Sequence, residues 1–227
     1  EFNSYFNRQI QLWGEDTQQL LQSKKIAIIG CGGLGCSSAI ALGASGIGHI
    51  DLVDFDDVSI HNIHRQIAFK IGDENKAKSI VLQKLLQDRS PYVNVRAFNK
   101  SFDNFIQNID TKYDLIIDAT DNIEARILID DFSKDTKTPW IYGSVEEFHG
   151  QVCFFENSSF NNIFQVTDHT LAGITAPIVM HIASLQATLA LRYLAKLEVM
   201  KDKLYYLSFN NYGELETKKF NLPKKEK

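Results

Sequence analysis

Cysteine is scarce in this sequence: Cys31, Cys36 and Cys153 are the three in 227 residues. Their spacing is neither a disulfide framework nor a pair of CxxC metal knuckles, which argues against a stapled secreted scaffold. No apolar run approaches the roughly 18 residues needed to span a bilayer. The first residues lack the basic-then-apolar layout of a secretory leader. A reduced, cytoplasmic setting with no membrane contact is therefore expected. Basic charge is not in excess either, with 24 Lys and Arg against 28 Asp and Glu and a net charge of −4. That removes the electrostatic reason to expect nucleic acid as a partner. There is no internal repeat and no low-complexity segment.

The composition fits one α/β domain over residues 1–227, at 44% hydrophobic and 23% charged. Predicted strands are Lys25–Ile29, His49–Val53, Val93–Phe98, Asp114–Asp118 and Pro139–Tyr142. Between them fall predicted helices at Gly33–Ser45, Asn75–Arg89, Phe102–Asn108 and Asn122–Lys134. Strands apolar along their whole length, alternating with helices, predict a Rossmann-like, doubly wound, mostly parallel sheet. The last third differs. Glu147–Glu156 and Leu204–Phe220 read as antiparallel edge strands with a turn at Asn211-Tyr212-Gly213. A polar stretch, Asn157–Thr170, reads as a mobile crossing loop, and Ala176–Lys196 as a long helix with Pro177 in its first turn. The organisation expected is thus an N-terminal arm and helix (1–24), a nucleotide-binding core (25–145), C-terminal strands, loop and helix (146–222), and a frayed tail (223–227).

The richest chemistry lies in Ile26–Gly35, IAIIGCGGLG. Gly30, Gly32 and Gly35 satisfy G-x-G-x-x-G between a strand and a helix, with Gly33 among them. Such a loop leaves backbone N–H groups free at the positive end of a helix dipole, where an anion is held. Asp54 ends the next strand, placed to accept from ribose hydroxyls. By themselves these features fit a nicotinamide dinucleotide. The segment beyond Asp54 fits a triphosphate better. Asn62, Arg65, Gln66 and Lys76 crowd into HNIHRQIAF–ENKAK. An arginine fork and a lysine point charge suit β- and γ-phosphate oxygens, although Arg65 and Lys76 also read as solvated surface charges. Beyond the fourth predicted strand, in DLIIDATDN, Asp121 and Asn122 face the crevice outside the strand's carboxyl end. Asp121 there suits Mg²⁺ beside a polyphosphate, and either residue suits a helix cap. Asp118 reads as structural support of the turn.

Taken in order, FNRQI, GCGGLG, LVDFDDVSIHNIHRQ, ENKAK, DATDN, EEFHGQVCFF, AGITAP and SLQATLAL make the chain resemble adenylyltransferases of the MoeB/ThiF/HesA family, relatives of ubiquitin-activating enzymes. The resemblance runs from about Tyr5 to at least Leu207. It implies ATP and Mg²⁺, with Gly30, Gly32, Gly33 and Gly35 at the nucleotide and Asp54 at the ribose. It places Asn62, Arg65, Gln66 and Lys76 at the phosphates, and Asp121, with Asn122 beside it, at Mg²⁺. It implies a homodimer in which Arg8 reaches the γ-phosphate of the other subunit, and a partner that is a ubiquitin-like sulfur carrier ending in Gly-Gly. The carrier's carboxylate would attack the α-phosphate and release pyrophosphate, a step that needs charge neutralisation more than a base. The pathway would be thiamine or molybdopterin biosynthesis.

Two departures from that family are visible. Many members hold zinc with cysteine pairs in the crossing loop and near the C-terminus. Here those segments contain no cysteine, so no zinc is expected. Many members also carry a transfer cysteine before the segment that here reads Ala172–Pro177; the matching position is His169. Of the cysteines present, Cys31 sits at a helix N-terminus, where its pKa is expected to fall, while Cys36 and Cys153 read as core. Four alternatives stay open: a tRNA threonylcarbamoyladenosine dehydratase of the same superfamily, a peptide-adenylating enzyme, a NAD-binding oxidoreductase, and a non-catalytic scaffold subunit. The dehydratase shares the glycine loop and N-x-x-R-Q, but no basic tract for RNA is present.

Overall fold

A computed structural model describes residues 1–109, 111–164 and 172–223 of the chain. Five strands pair in parallel: β1 (Lys25–Ile29), β2 (His49–Val53), β3 (Asn94–Phe98), β4 (Leu115–Asp118) and β5 (Trp140–Glu146). Three more, β6 (His149–Phe155), β7 (Lys203–Phe209) and β8 (Leu215–Asn221), continue antiparallel from β5. The strand order is β3-β2-β1-β4-β5-β6-β7-β8. The mostly parallel α/β sheet with antiparallel C-terminal edge strands is the one the alternating pattern predicts. Chain order reverses between β1 and β4, which is where such sheets open a ligand crevice.

Side-chain alternation explains why the central strands are apolar throughout. Ile26 and Ile28 of β1 face a core built with Leu34 and Leu42 of α4 (Gly33–Ala44). Leu82 and Leu86 of α5 (Lys78–Arg89) and Ile182 of α8 (Ala176–Leu194) complete that side. Ala27 and Ile29 face the other side, where Phe102 and Phe105 of α6 (Phe102–Ile106) and Ile129 of α7 (Ile123–Thr136) pack. Trp140 stacks on Phe155 there, rings 4.7 Å apart. Each such buried side chain contributes roughly 1.5–3 kcal/mol.

The N-terminal arm forms α1 (Phe2–Tyr5), α2 (Asn7–Trp13) and α3 (Glu15–Gln22). It packs at the amino end of the sheet: Phe2, Tyr5 and Phe6 surround Tyr92. The amides of Gln9 and Gln18 donate to the Ser45 carbonyl that closes α4, at 2.8 and 3.0 Å.

Two predicted boundaries move by three residues or more, for physical reasons. β5 continues past Tyr142 to Glu146 because Gly143–Glu146 pairs with β6, a register its polar residues do not announce. α5 begins at Lys78 rather than Asn75, because Ala77 bridges Asp57 and Asn75 takes φ 63°. The crossing stretch is not uniformly loose. Ser158, Ser159 and Phe160 are buried, and Phe160–Asn162 forms a 3-10 turn. Residues 165–171, His169 among them, and residues 224–227 of the tail lie outside the described residues.

Candidate active site

The glycine loop occupies the switch point. Gly30 takes φ 94°, and a Cβ there would lie 2.5 Å from the Ala119 carbonyl oxygen, so β1 and β4 diverge only around a bare backbone. Gly35 lets the first turn of α4 pass over the Gly30 carbonyl, which a Cβ would overlap. The N–H groups of Gly32, Gly33, Leu34 and Gly35 have no acceptor among the described residues. Uncapped donors at a helix N-terminus are ready for an anion.

Asp54 follows β2 and reaches back to this loop. Its oxygens accept from the Cys31 amide at 2.6 Å and the Asp56 amide at 2.7 Å. Burial pushes its carboxyl up, and those two amides and the Lys78 charge pull against the rise. One lone pair per oxygen remains for a hydroxyl donor. Beyond it, exposed Phe55 presents its ring to a cavity of about 530 Å³ whose other lining residues, Asn99, Ser101 and Asn104 among them, are polar.

The segment after β2 folds over α4. The Arg65 carbonyl lies 3.3 Å from where a Gly33 Cβ would stand. The Arg65 guanidinium is held by Asn62 Oδ1 at 2.8 Å and His64 Nε2 at 3.0 Å. Gln66 is buried over Gly32, with its Oε1 unpartnered among the described residues.

The two lysines divide unexpectedly. Lys76 is turned to Asp73 at 3.0 Å and is mostly exposed. Lys78, which the motif reading passes over, is the buried one, its Nζ 2.8 Å from Asp56 Oδ2. Its charge acts on both Asp54 and Cys31. Lys78 is thus buried beside Asp54, while Lys76 faces Asp73 and solvent. One signal in the sequence points to it: Lys78, Leu82 and Leu86 share the buried stripe of α5, and a lysine on an apolar stripe is an anomaly.

At the end of β4 the carboxylates also separate. Asp118 is fully buried, accepts from Thr120 Oγ1 at 2.6 Å and pairs with Arg126 at 3.2 Å. Burial raises its pKa against the pull of Arg126, so it supports the turn as expected. Asn122 caps α7, its Oδ1 accepting from the Ala125 amide at 2.8 Å. Asp121 is exposed between them and makes no side-chain hydrogen bond among the described residues. No cluster of three or more His, Cys, Asp or Glu side chains is placed to share a metal ion among the described residues. A lone carboxylate suits Mg²⁺, which takes one or two carboxylates and completes its shell with phosphate oxygens and water.

The cysteine expectation is corrected. Cys31 is buried, and that burial, with Asp54 beside it, holds the thiol well above its ordinary pKa. Cys36 is pushed up to about 12 by burial, and burial raises Cys153 too. Arg8 is exposed on α2, at the amino end. The full length of α4, about 18 Å, separates that end from the glycine loop. A larger cavity of about 900 Å³, bordered by Lys24, Arg192, Met200 and Tyr205, lies against the C-terminal end of α8 and adjoins none of the site residues. No helix among the described residues is long and apolar enough to cross a membrane.

The model of the ThiF family matches residues 6–227. The molybdopterin-synthase adenylyltransferase of Haemophilus influenzae is 32% identical over 204 residues, 85% of this chain and 84% of that protein. The sulfur carrier protein adenylyltransferase of Thermus thermophilus is 33% identical over 150 residues, 65% of this chain and 55% of that protein. An adenylyltransferase and sulfurtransferase of Dictyostelium discoideum is 34% identical over 185 residues, 77% of this chain. The chain spans only 44% of that protein, and about half the length of several of the curated relatives it matches. The fold superimposes on Escherichia coli MccB, solved with succinimide, with a TM-score of 0.86 at 19% identity, over 99% of this chain and 72% of that one.

Proposed function

Because this chain belongs to the ThiF family, we propose that it adenylates the C-terminal carboxylate of a small ubiquitin-like sulfur carrier ending in Gly-Gly. ATP is the other reactant, pyrophosphate leaves, Mg²⁺ would serve as cofactor, and the pathway is thiamine or molybdopterin biosynthesis. One observation carries this reading: unpartnered loop amides, buried Lys78, Arg65 and exposed Asp121 surround a single switch point. A nicotinamide dinucleotide has no use for that many cations and a spare carboxylate.

In this mechanism the Gly32–Gly35 amides hold phosphate oxygens, Asp54 accepts from the ribose, and the base lies on Phe55. Asp121 holds Mg²⁺, which supplies charge neutralisation on the phosphates. Asn62 aims Arg65, and Arg65 and Lys78 stabilise charge on the departing pyrophosphate. Lys76 then acts at longer range, and Asn122 serves as a cap. The carrier carboxylate, ionised at neutral pH, needs no general base. Arg8 completes the site of a second subunit, an arrangement supported by its distance from its own crevice. The setting is cytoplasmic, and residues 1–227 act as one domain.

The test is pyrophosphate exchange into ATP with purified candidate carriers. Asp121→Ala should abolish exchange without unfolding the chain; full activity would sink its role. Mixed heterodimers of Arg8→Ala with Asp121→Ala should regain one working site. No recovery in verified heterodimers would refute action in trans. Exchange driven by a tRNA-derived substrate instead would move the assignment to the dehydratase.

A further inference from the structure

Lys78 is the first residue of α5, where the helix dipole disfavours a cation. Its side chain is only 7% exposed, and burial also works against an ammonium. Two carboxylates compensate, and they differ. Both oxygens of Asp54 already accept backbone amides, from Cys31 and Asp56. Asp56 takes the ammonium itself, Oδ2 to Nζ at 2.8 Å, and its carbonyl accepts the Lys78 amide. The Asp56 side chain is half exposed and has no other donor among the described residues.

We propose that Asp56 is a positioning residue that keeps the Lys78 ammonium off Asp54. The inference rests on the nucleotide reading of this crevice. An ammonium has three N–H donors. Asp56 takes one and leaves the others for phosphate. Asp56 is held directly between the two, its amide on Asp54 Oδ1 and its carboxylate on the Lys78 ammonium, so without its carboxylate Asp54 is an anion left within the field of Lys78. The ammonium then turns onto Asp54 and competes with the ribose hydroxyls for its free lone pairs. Asp56 thus divides the labour of the crevice: one carboxylate for the lysine, the other for the sugar.

This arrangement predicts an interaction between positions 56 and 78 that a purely structural aspartate would not show. Calorimetric titration with AMP should show Asp56→Ala binding about tenfold more weakly than wild type, the scale of one charge-assisted hydrogen bond. In a Lys78→Met background the same substitution should change AMP affinity by less than about twofold, because no ammonium remains to invade Asp54. Asp56→Asn, which keeps an acceptor for Nζ, should stay within about threefold of wild type. Urea midpoints would establish that every variant is folded. An equal effect of Asp56→Ala in both backgrounds, or none in either, would overturn the role of Asp56 alone. A wild-type chain that binds neither AMP nor ATP would overturn the nucleotide reading and this inference with it.

Discussion

Replacing Arg126 by methionine is the sharpest test of how the switch-point turn is built. The guanidinium pairs with Asp118 at 3.2 Å and donates to the Thr120 and Gly143 carbonyls at 2.7 and 3.2 Å. It is 10% exposed and Asp118 is not exposed at all. Methionine fills similar space but leaves the carboxylate facing only Thr120. Removing one partner of a buried pair costs about 3–5 kcal/mol. For a chain of this size that lowers Tm by roughly 6–20 °C. The loss should depend on pH. Burial already raises Asp118, and Arg126 is the largest opposing influence; without it the folded-state carboxyl rises further, while the unfolded value stays near 3.9. A raised folded pKa means the folded state takes up the proton first as pH falls. The penalty is therefore full above that raised value and shrinks as pH falls toward 4. Urea unfolding at pH 8.5 should show a larger loss than at pH 5.5, and Asp118→Asn with Arg126→Met should recover at least half of it. A loss below about 1 kcal/mol, or one equal at the two pH values, would refute the account.

The same geometry fixes other expected outcomes. Lys78→Ala should lower pyrophosphate exchange about a hundredfold, the scale of one lost transition-state donor. Lys76→Ala should cost less than about fivefold, as an exposed pair with Asp73 implies; the reverse order would return Lys76 to the site. Asp202, at φ 54°, accepts from the amides of Glu156, Asn157 and Ser158 at 3.0–3.1 Å and so ties the crossing stretch to the end of β8. Asp202→Ala should cost about 2–4 kcal/mol, while a chelator should leave the wild-type melting midpoint unchanged. A chelator-induced drop would show that metal, not this carboxylate, fastens the loop. Native protein at pH 8 should leave all three thiols unreactive toward a disulfide reagent until denaturant is added; rapid modification of any one contradicts its burial.

The legible parts of this molecule are those where one local cause dominates. β1 and β2 have the predicted bounds because burial on both faces demands unbroken apolar runs. The placement of the glycine loop, Asp54 and Asp121 just beyond β1, β2 and β4 is legible because apolar runs mark where those strands end. The lysines are not. A helix read from Asn75 places Lys76 in its first turn, but Asn75 takes φ 63° in a turn and Ala77 bridges Asp57, so the helix begins only at Lys78. That pairing joins residues 20 positions apart and has no local signature. The same holds for Gly143–Glu146, whose strand conformation is imposed by β6.

Cys31 shows how two sound local rules give opposite answers and how magnitude decides. A thiol beside a helix N-terminus gains roughly 0.3–1 kcal/mol toward the thiolate from the dipole. Cys31 is also fully buried, and its amide donates to a carboxylate that repels a second negative charge. Burying an unpaired anion costs several kcal/mol. Desolvation outweighs the dipole, and the thiol stays protonated. Cys36 and Cys153 are buried as well, with raised pKa values. None of the three thiols in these 227 residues is therefore poised to attack an acyl-adenylate. In the proposed reaction the crevice makes the adenylate and keeps it from water, and none of these thiols takes the activated carrier onward.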